Sequence, residues 1–289
     1  MSSTLRDRLA GKRYGLVLSA GYFGFFGHAG FVEALLHAKL RPAAWAGTSA
    51  GGLVASLHAA GMPPPRIAEL LTTLERKHFW DPDPLGAAVD ALKGGSRATG
   101  LLKGELFRKL LADNLPVKRI EQCLEPVLLV GASLSTQSAH VMRDGELASA
   151  IHATCAYPGM FQAVRRDGLL LWDGGIIDKA PALLLSEAGL ELDALLVHFL
   201  PSRGGLEEPA GPLAYLKGVM AGMGTLRKDH FRLQLEVLQA RGVEVHVVTS
   251  HLPPVSPNAL HEGPRALEAG RRSAEEALSR PPEPWQPSD

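Results

Sequence analysis

The chain has 289 residues, of which 46% are hydrophobic and 21% charged, enough to bury a sizeable core. Its 30 basic residues (Lys and Arg) balance 30 acidic ones, so it has no positive field for nucleic acid. Two cysteines without CxxC or His/Cys spacing exclude a disulfide framework and predict no metal site. The charged N-terminus and the lack of a long apolar run predict a cytoplasmic protein without a signal peptide or a membrane span.

Strands and helices alternate along the first third of the chain. Short apolar runs that end in glycine are typical of buried strands, and the segments after them have helical spacing. The predicted elements are a strand over 14–19, a glycine-rich turn, a helix over 29–38, a strand over 42–46, and helices over 50–60 and 67–77. This alternation predicts an α/β fold with a parallel sheet covered by helices.

The remaining elements follow an irregular segment, residues 81–104, which reads as a surface connection or as a lid over a site, with the connection favoured. The elements predicted after it are helices over 105–113, 209–241 and 263–278, strands over 127–134, 139–142, 169–172, 194–200 and 243–249, and a flexible tail over 281–289. The helix over 209–241 carries a basic face that is expected to be solvated.

Residues 47–51 fit the pattern Gly-x-Ser-x-Gly. Random placement would produce roughly 0.2 such matches, so the string alone is weak. Its context adds weight, because a strand precedes it and a helix of small residues follows, as a nucleophile elbow requires. Glycine at positions 47 and 51 would relieve collisions with neighbouring backbone, leaving the Ser49 hydroxyl exposed. A helix start in a nucleotide-binding fold is the competing interpretation.

A serine nucleophile needs a base, and Asp173 is the candidate. It follows the apolar strand 169–172 and precedes Gly174 and Gly175, which would let another loop approach the carboxylate. Alone, Asp-Gly-Gly is also an ordinary turn. The third element is the glycine-rich stretch 18–30, whose backbone N–H groups could cradle an anion. It lacks the Rossmann pattern and a P-loop lysine.

Taken together, these segments resemble the patatin-like phospholipase family. The stretch 47–62 (GTSAGGLVASLHAAGM) is similar to its elbow helix, and 149–161 with 171–181 is similar to the segment around its Asp-Gly-Gly/Ala motif. The first glycine-rich turn stands where the family has its oxyanion loop. The resemblance covers roughly residues 12–200. It implies a patatin-like catalytic domain there, a helix–strand–helix extension over 201–280 packed on the same domain, and a three-layer α/β/α fold.

The function implied by the resemblance is a serine acyl hydrolase of phospholipase A or lysophospholipase type. Ser49 would be the nucleophile and Asp173 the base of a Ser–Asp dyad that uses no cofactor. The expected substrate is a lipid or acyl ester, reached by transient contact with a membrane surface. No calcium site, nucleic-acid partner or oligomeric state is predicted.

The oxyanion loop departs from the family pattern. The family usually has three glycines, a variable residue, Arg or Lys, and glycine. Two alignments place the backbone donors among Ala20, Gly21, Tyr22 and Gly24, and only Gly21 falls on a glycine of the pattern in both. Neither supplies the basic side chain.

Two other functions remain as alternatives. In an α/β-hydrolase triad, a histidine follows the acid, and His198, His246 and His251 have that order. The third hypothesis is a non-catalytic module that binds a lipid or acyl group, with the elbow retained as architecture.

Overall fold

A computed structural model describes residues 3–95, 99–201 and 214–286. Its strands are β1 (Tyr14–Leu18), β2 (Ala44–Gly47), β3 (Gly100–Leu102), β4 (Val127–Ser133), β5 (Ser138–Met142), β6 (Gly159–Phe161), β7 (Val164–Arg166), β8 (Leu169–Asp173), β9 (Ala194–Phe199) and β10 (Glu244–Thr249). Its α-helices are α1 (Leu5–Leu9), α2 (Phe25–His37), α3 (Ala50–Ala59), α4 (Pro64–Thr72), α5 (Pro84–Leu92), α6 (Glu105–Asn114), α7 (Leu147–Thr154), α8 (Ala182–Ser186), α9 (Ala214–Ala240) and α10 (Gly263–Ser279).

The central sheet has eight strands in the order β10-β9-β1-β2-β4-β8-β7, with β5 also paired to β4. The five strands from β10 to β4 are parallel, whereas β5, β7 and β8 join through antiparallel pairs. The predicted α/β fold with a mostly parallel sheet is therefore confirmed.

Apolar side chains on both faces of the sheet are buried under helices, which makes the three layers. Along β9, Leu196 belongs to one core cluster and Val197 to the other, as the alternation of a strand requires. The first cluster includes residues of α2, α3, α7 and α10, and the second includes residues of α8 and α9. Burial on both faces explains why the central strands read as continuous apolar runs.

Pairing with β4 brings two chain segments together at one place. Gly47, the last residue of β2, pairs with Leu129, and Asp173, the last residue of β8, pairs with Gly131. These two partners are two residues apart on β4, a distance of about 7 Å along a strand. The register thus places the Gly-x-Ser-x-Gly turn beside the Asp-Gly-Gly turn, although they are far apart in sequence.

Helix α2 begins at Phe25, inside the stretch predicted as a glycine-rich turn. Its glycines contact helix α10 instead of forming a loop. A Cβ on Gly30 would lie 1.9 Å from the Leu267 carbonyl oxygen, and one on Gly270 would lie 2.0 Å from the Gly27 carbonyl oxygen. The turn is therefore shorter than predicted, and the other glycines serve close helix packing.

The C-terminal part is joined to the sheet and to its helices. Strand β10 extends the sheet beside β9, and α10 packs on α2. The Trp285 ring, in the segment predicted as a flexible tail, lies 5.6 Å from the Phe199 ring and 5.2 Å from the Phe231 ring. Residues 287–289 and the part of the predicted 209–241 helix before Ala214 lie outside the described residues. The domain boundaries stay predictions.

Segment 81–104 is an excursion from the sheet, and its residues 96–98 lie outside the described ranges. Its strand β3 pairs in parallel with β6, and Leu102 packs with Phe79, Ala156 and Phe161. Its role as a surface connection, with a lid as the alternative, stays a prediction. In the described ranges, no helix combines the length and apolar character that crossing a bilayer requires.

Candidate active site

Ser49 occupies a strained turn between β2 and α3. Its backbone has φ 55° and ψ −125°, a conformation that residues other than glycine rarely adopt. The two flanking glycines allow this turn to pack closely. A Cβ on Gly47 would lie 2.6 Å from the backbone of Gly51, and one on Gly51 would lie 2.1 Å from the Leu18 carbonyl oxygen. The collisions predicted from the sequence are therefore present at both positions.

Asp173 ends β8 and lies 2% exposed beside the serine. Hydrogen bonding from the Ser49 hydroxyl lowers the pKa of the Asp173 carboxyl, so the two side chains face each other. Its Oδ1 atom also accepts from the Gly175 N–H at 2.7 Å, and its backbone N–H donates to the Ala156 carbonyl at 2.9 Å. The two predicted members of the dyad thus lie beside each other, with the carboxylate buried and the serine partly exposed.

The two glycines after Asp173 are required by close packing. A Cβ on Gly174 would lie 2.1 Å from the Val130 carbonyl oxygen, and one on Gly175 would lie 2.7 Å from the Ala20 Cβ atom. The Asp-Gly-Gly turn therefore touches both β4 and the glycine-rich loop. This arrangement brings three chain segments around one serine.

Burial sets the charge state of Asp173. It raises the pKa of the carboxyl from 3.8 to about 6, against the opposing effects of the Ser49 and Gly175 hydrogen bonds and the positive charge of Arg227. Above that pH the carboxylate is ionised and in contact with the serine hydroxyl. A buried carboxylate of this kind can accept a proton from its hydrogen-bond partner.

Helix α7 supports the serine through two residues for which the sequence patterns offered no signal. The Ser49 N–H donates to Thr154 Oγ1 at 3.0 Å, and that hydroxyl donates to the Val130 carbonyl at 2.6 Å. The Cys155 thiol donates to the Ser49 carbonyl at 3.3 Å. Burial raises the pKa of that thiol well above its usual value. Cys155 is therefore a neutral partner of the turn.

The four predicted oxyanion donors differ in what their N–H groups contact. Ala20 donates to the Lys179 carbonyl at 2.7 Å, and Gly24 donates to the Gly21 carbonyl at 2.8 Å. Gly21 N–H has no acceptor among the described residues. The Tyr22 side chain is 50% exposed, and its ring lies 6.1 Å from the Tyr157 ring. Gly21 stays the first candidate.

The histidines of the triad alternative are engaged elsewhere in the described structure. His198 is fully buried, with Nδ1 at 2.8 Å from His28 Nδ1 and Nε2 at 2.8 Å from the Ser250 hydroxyl. His246 contacts Glu244 at 2.8 Å. His251 lines a surface groove of about 550 Å³ that does not include Ser49 or Asp173. These contacts give no support to a Ser-Asp-His triad.

Buried His28 and His198 hold the base of the glycine-rich loop. The His28 Nε2 atom lies 2.8 Å from the Ser19 carbonyl oxygen, and burial lowers the pKa of this ring to about 4. Burial also holds the pKa of His198 well below its usual value. Both rings are therefore neutral at physiological pH. No group of three or more His, Cys, Asp or Glu in the described part of the chain could hold a metal ion.

A family model described as "Patatin-like phospholipase" matches residues 16–186. The chain belongs to the patatin-like phospholipase family. The match includes Ser49, Asp173 and the glycine-rich loop, the segments on which the resemblance was based. The matched stretch runs from β1 to the end of α8.

Known proteins are similar to this chain over 65% to 96% of its length. An uncharacterized NTE family protein of Mycobacterium bovis is 27% identical over 302 residues, covering 96% of this chain and 48% of its own length. Patatin-like phospholipase domain-containing protein 6 of Mus musculus is 26% identical over 189 residues, covering 65% of this chain and 14% of its own. The chain thus spans about half the length of the first relative and a smaller share of the second.

A solved structure shares the fold. The crystal structure of VipD from Legionella pneumophila has a TM-score of 0.53 and 15% identity, covering 96% of this chain and 69% of that chain. At this level of identity the similarity concerns the fold alone. It agrees with the central sheet and its covering helices described above.

Proposed function

We propose that the chain is a serine acyl hydrolase that cleaves lipid esters, of phospholipase A or lysophospholipase type. The observation that carries the proposal is the placement of the Ser49 hydroxyl, on its strained turn, beside the buried Asp173 carboxyl, whose pKa it lowers by hydrogen bonding. Membership of the patatin-like phospholipase family supports it. The proposed substrate is an acyl ester of a lipid, approached through transient contact with a membrane surface.

In the proposed first step, Ser49 Oγ attacks the ester carbonyl carbon while Asp173 takes the hydroxyl proton. The carbonyl oxygen becomes an oxyanion, stabilised by the N–H groups of Gly21 and of Ala50, the first residue of α3, which have no acceptor among the described residues. Collapse of the intermediate breaks the bond to the alcohol. The leaving alkoxide takes the proton from Asp173, and the acyl group stays on Ser49.

Water completes the proposed cycle. It attacks the acyl-serine carbonyl while Asp173 takes one of its protons, and an oxyanion forms in the same place. The bond to Ser49 Oγ then breaks, and that oxygen recovers the proton from Asp173. The products are a fatty acid and the starting enzyme. One carboxylate thus acts as base and then as acid in each half of the cycle.

A panel of acyl esters tests the proposal. Short p-nitrophenyl esters, monoacyl and diacyl phospholipids and neutral acylglycerols are incubated with the wild-type protein, and released fatty acid is measured. A fluorophosphonate probe is applied in parallel, and its site is located by peptide mass spectrometry. We expect acid release and a single adduct on Ser49, because a serine activated by a base reacts selectively with this probe.

Two outcomes would reject the proposal. One is saturable fatty-acid binding without hydrolysis of any ester, which would favour a lipid-binding module. The other is an adduct on a serine other than Ser49. Ser56 provides an internal reference, because it lies on the same helix α3 but is fully buried. Its peptide is expected to stay unmodified.

The charge of Asp173 predicts the pH dependence of the reaction. Since the carboxyl must be ionised to accept the serine proton and its pKa is about 6, kcat/KM is expected to fall about tenfold per pH unit below pH 6. Above pH 6 it should reach a plateau. The measurement is a pH–rate profile with a neutral p-nitrophenyl ester. Full activity at pH 4 would contradict the proposed role of this carboxyl.

The stability of the fold should also depend on the ionisation of Asp173, but it should fall over the pH range in which activity rises. The folded pKa of Asp173 lies above the unfolded value of 3.8, so the fold favours the protonated form. That stabilisation is present below pH 4 and is lost as the pH rises to about 6, a change of about 3 kcal/mol. The unfolding free energy of wild type relative to Asp173→Asn is therefore expected to decrease between pH 4 and pH 7. Urea titrations at both pH values measure it.

A further inference from the structure

The glycine-rich loop brings no cationic side chain to the site. Residues 19–24 read Ser-Ala-Gly-Tyr-Phe-Gly, and the nearest basic residue after them, His28, is buried and neutral. The glycine-rich loop therefore offers no positive charge to a lipid phosphate at the site.

Arg227 of α9 brings a positive charge from the other side of the dyad. Its Nη1 atom donates to the Gly175 carbonyl at 2.8 Å, and its Nε atom donates to the Met223 carbonyl of its own helix at 3.2 Å. Gly175 is the residue whose N–H holds the Asp173 carboxylate. The guanidinium is thus anchored on the Asp-Gly-Gly turn, one hydrogen-bonded residue away from the base.

The charge of Arg227 acts on the space around the dyad. It favours the ionised forms of both Asp173 and Tyr157, and the ring of Tyr157 lies 6.1 Å from the ring of the exposed Tyr22. Burial, with the charges of Arg227 and Lys228, lowers the pKa of Lys179 to about 7. Arg227 therefore places a positive charge beside the buried carboxylate, and Lys228 follows it on the same helix, so the local field favours an anion.

Arg227 has hydrogen-bonding capacity left for such an anion. A guanidinium has five N–H donors, and two are used by the backbone carbonyls, which leaves three. Among the described residues, neither Arg227 nor Lys228 forms a salt bridge with a carboxylate. The fork of an arginine fits a phosphate in two parallel hydrogen bonds.

We propose that Arg227 forms an anion subsite beside Ser49 that binds the phosphate of an acylated glycerophosphate lipid. This inference rests on the proposed function for the identity of the lipid, but the subsite itself is a matter of binding. Arg227 supplies a positive charge that the glycine-rich loop lacks, and it does so from a helix outside the stretch matched by the family model. The competing role is a structural clasp, in which Arg227 only holds α9 against the Asp-Gly-Gly turn. The subsite and the clasp predict different results.

Binding to the Ser49→Ala protein tests the subsite without any turnover. The ligands are an alkyl ether of glycerol phosphate, which has no ester to cleave, and the matching neutral alkyl glycerol. Arg227→Gln is compared with Arg232→Gln, which removes one charge from the same helix at a residue paired with Asp229 and Glu236. Thermal unfolding of each variant controls for loss of the fold.

The subsite predicts a selective loss. Arg227→Gln should weaken binding of the phosphate lipid about 10- to 100-fold and leave binding of the neutral lipid within about 3-fold, since only the former has a charge to pair. Arg227→Lys should recover part of the loss, and Arg232→Gln should resemble the parent protein. Equal losses for both lipids would establish the clasp and overturn the subsite, as would unchanged binding of the phosphate lipid.

Inorganic phosphate separates a lipid subsite from a general anion site. We expect it to compete with the ether lipid only weakly. Competition as tight as that of the lipid itself would overturn the assignment to a lipid. Because none of these readouts needs hydrolysis, they decide the subsite even where the ester panel shows no turnover. Absence of turnover would reject the proposed function alone.

Discussion

Replacing Ser49 by alanine is expected to reduce kcat for ester hydrolysis by at least about 10⁴-fold, and Asp173→Asn by about 10³- to 10⁴-fold. Alanine removes the atom that attacks the ester. Asparagine keeps the shape of the side chain but cannot take the serine proton. Because the two groups act as one unit, the double variant should be no slower than the slower single variant by more than a small factor. Initial rates on one p-nitrophenyl ester measure all three.

Two matched variants distinguish loss of chemistry from loss of the fold. Ser56→Ala replaces a buried serine on the same helix α3 whose hydroxyl has no hydrogen-bond partner among the described residues, so activity and stability should hold. Asp167→Asn changes another Asp-Gly turn, which is exposed and pairs with Arg166. It should retain full activity. Retained hydrolysis in Ser49→Ala or Asp173→Asn would reject the dyad.

Much of the site could be predicted because its residues are constrained by local backbone geometry. The turn at Ser49 needs a strained φ, and its neighbours need glycine because their Cβ atoms would meet backbone within 3 Å. Such constraints link residues within four positions of one another, so they produce a short sequence motif that can be recognised. The Asp-Gly-Gly turn is constrained in the same way by β4 and the glycine-rich loop. Local sterics thus made both segments visible in the sequence.

Helix α2 could not be placed correctly from local pattern. Gly27 and Gly30 favour a turn and delay the predicted helix to residues 29–38, since glycine disfavours a helix by about 1 kcal/mol per residue. These glycines let the backbone of α10 pack closely against α2, although α10 lies more than 230 residues later in the chain. Tertiary packing therefore overrides local propensity here, and nothing in the neighbouring residues indicates it.

Arg227 illustrates a different limit. It lies on a long helix whose sequence predicts only a solvated basic face, and it reaches the site because α9 crosses the Asp-Gly-Gly turn. No motif links it to Asp173. The supporting residues Thr154 and Cys155 are similar, because they reach Ser49 from the end of α7 through single hydrogen bonds. Such contacts depend on how helices pack on the sheet.

Gly51→Ala is expected to destabilise the protein by about 3 kcal/mol and to slow fluorophosphonate labelling of Ser49 about 100-fold. The added Cβ would lie 2.1 Å from the Leu18 carbonyl oxygen and 2.7 Å from that of Ser19, and both are backbone atoms that cannot rotate away. Relief requires α3 to move from the end of β1. That movement would shift Ser49 relative to the glycine-rich loop, and a displacement of about 1 Å is enough for the expected loss of rate.

Gly222→Ala is the matched control, because it is also a helical glycine but a Cβ there has no neighbour within 4 Å. Removing a glycine from an open helix position should be neutral or stabilise by up to about 1 kcal/mol. Urea unfolding and the labelling rate are measured for both variants. Gly51→Ala with wild-type stability and a wild-type labelling rate would contradict the close contact between the serine turn and β1. That contact sets the position of the Ser49 hydroxyl relative to the glycine-rich loop. The same result would therefore remove the structural reason for placing the oxyanion donors in that loop.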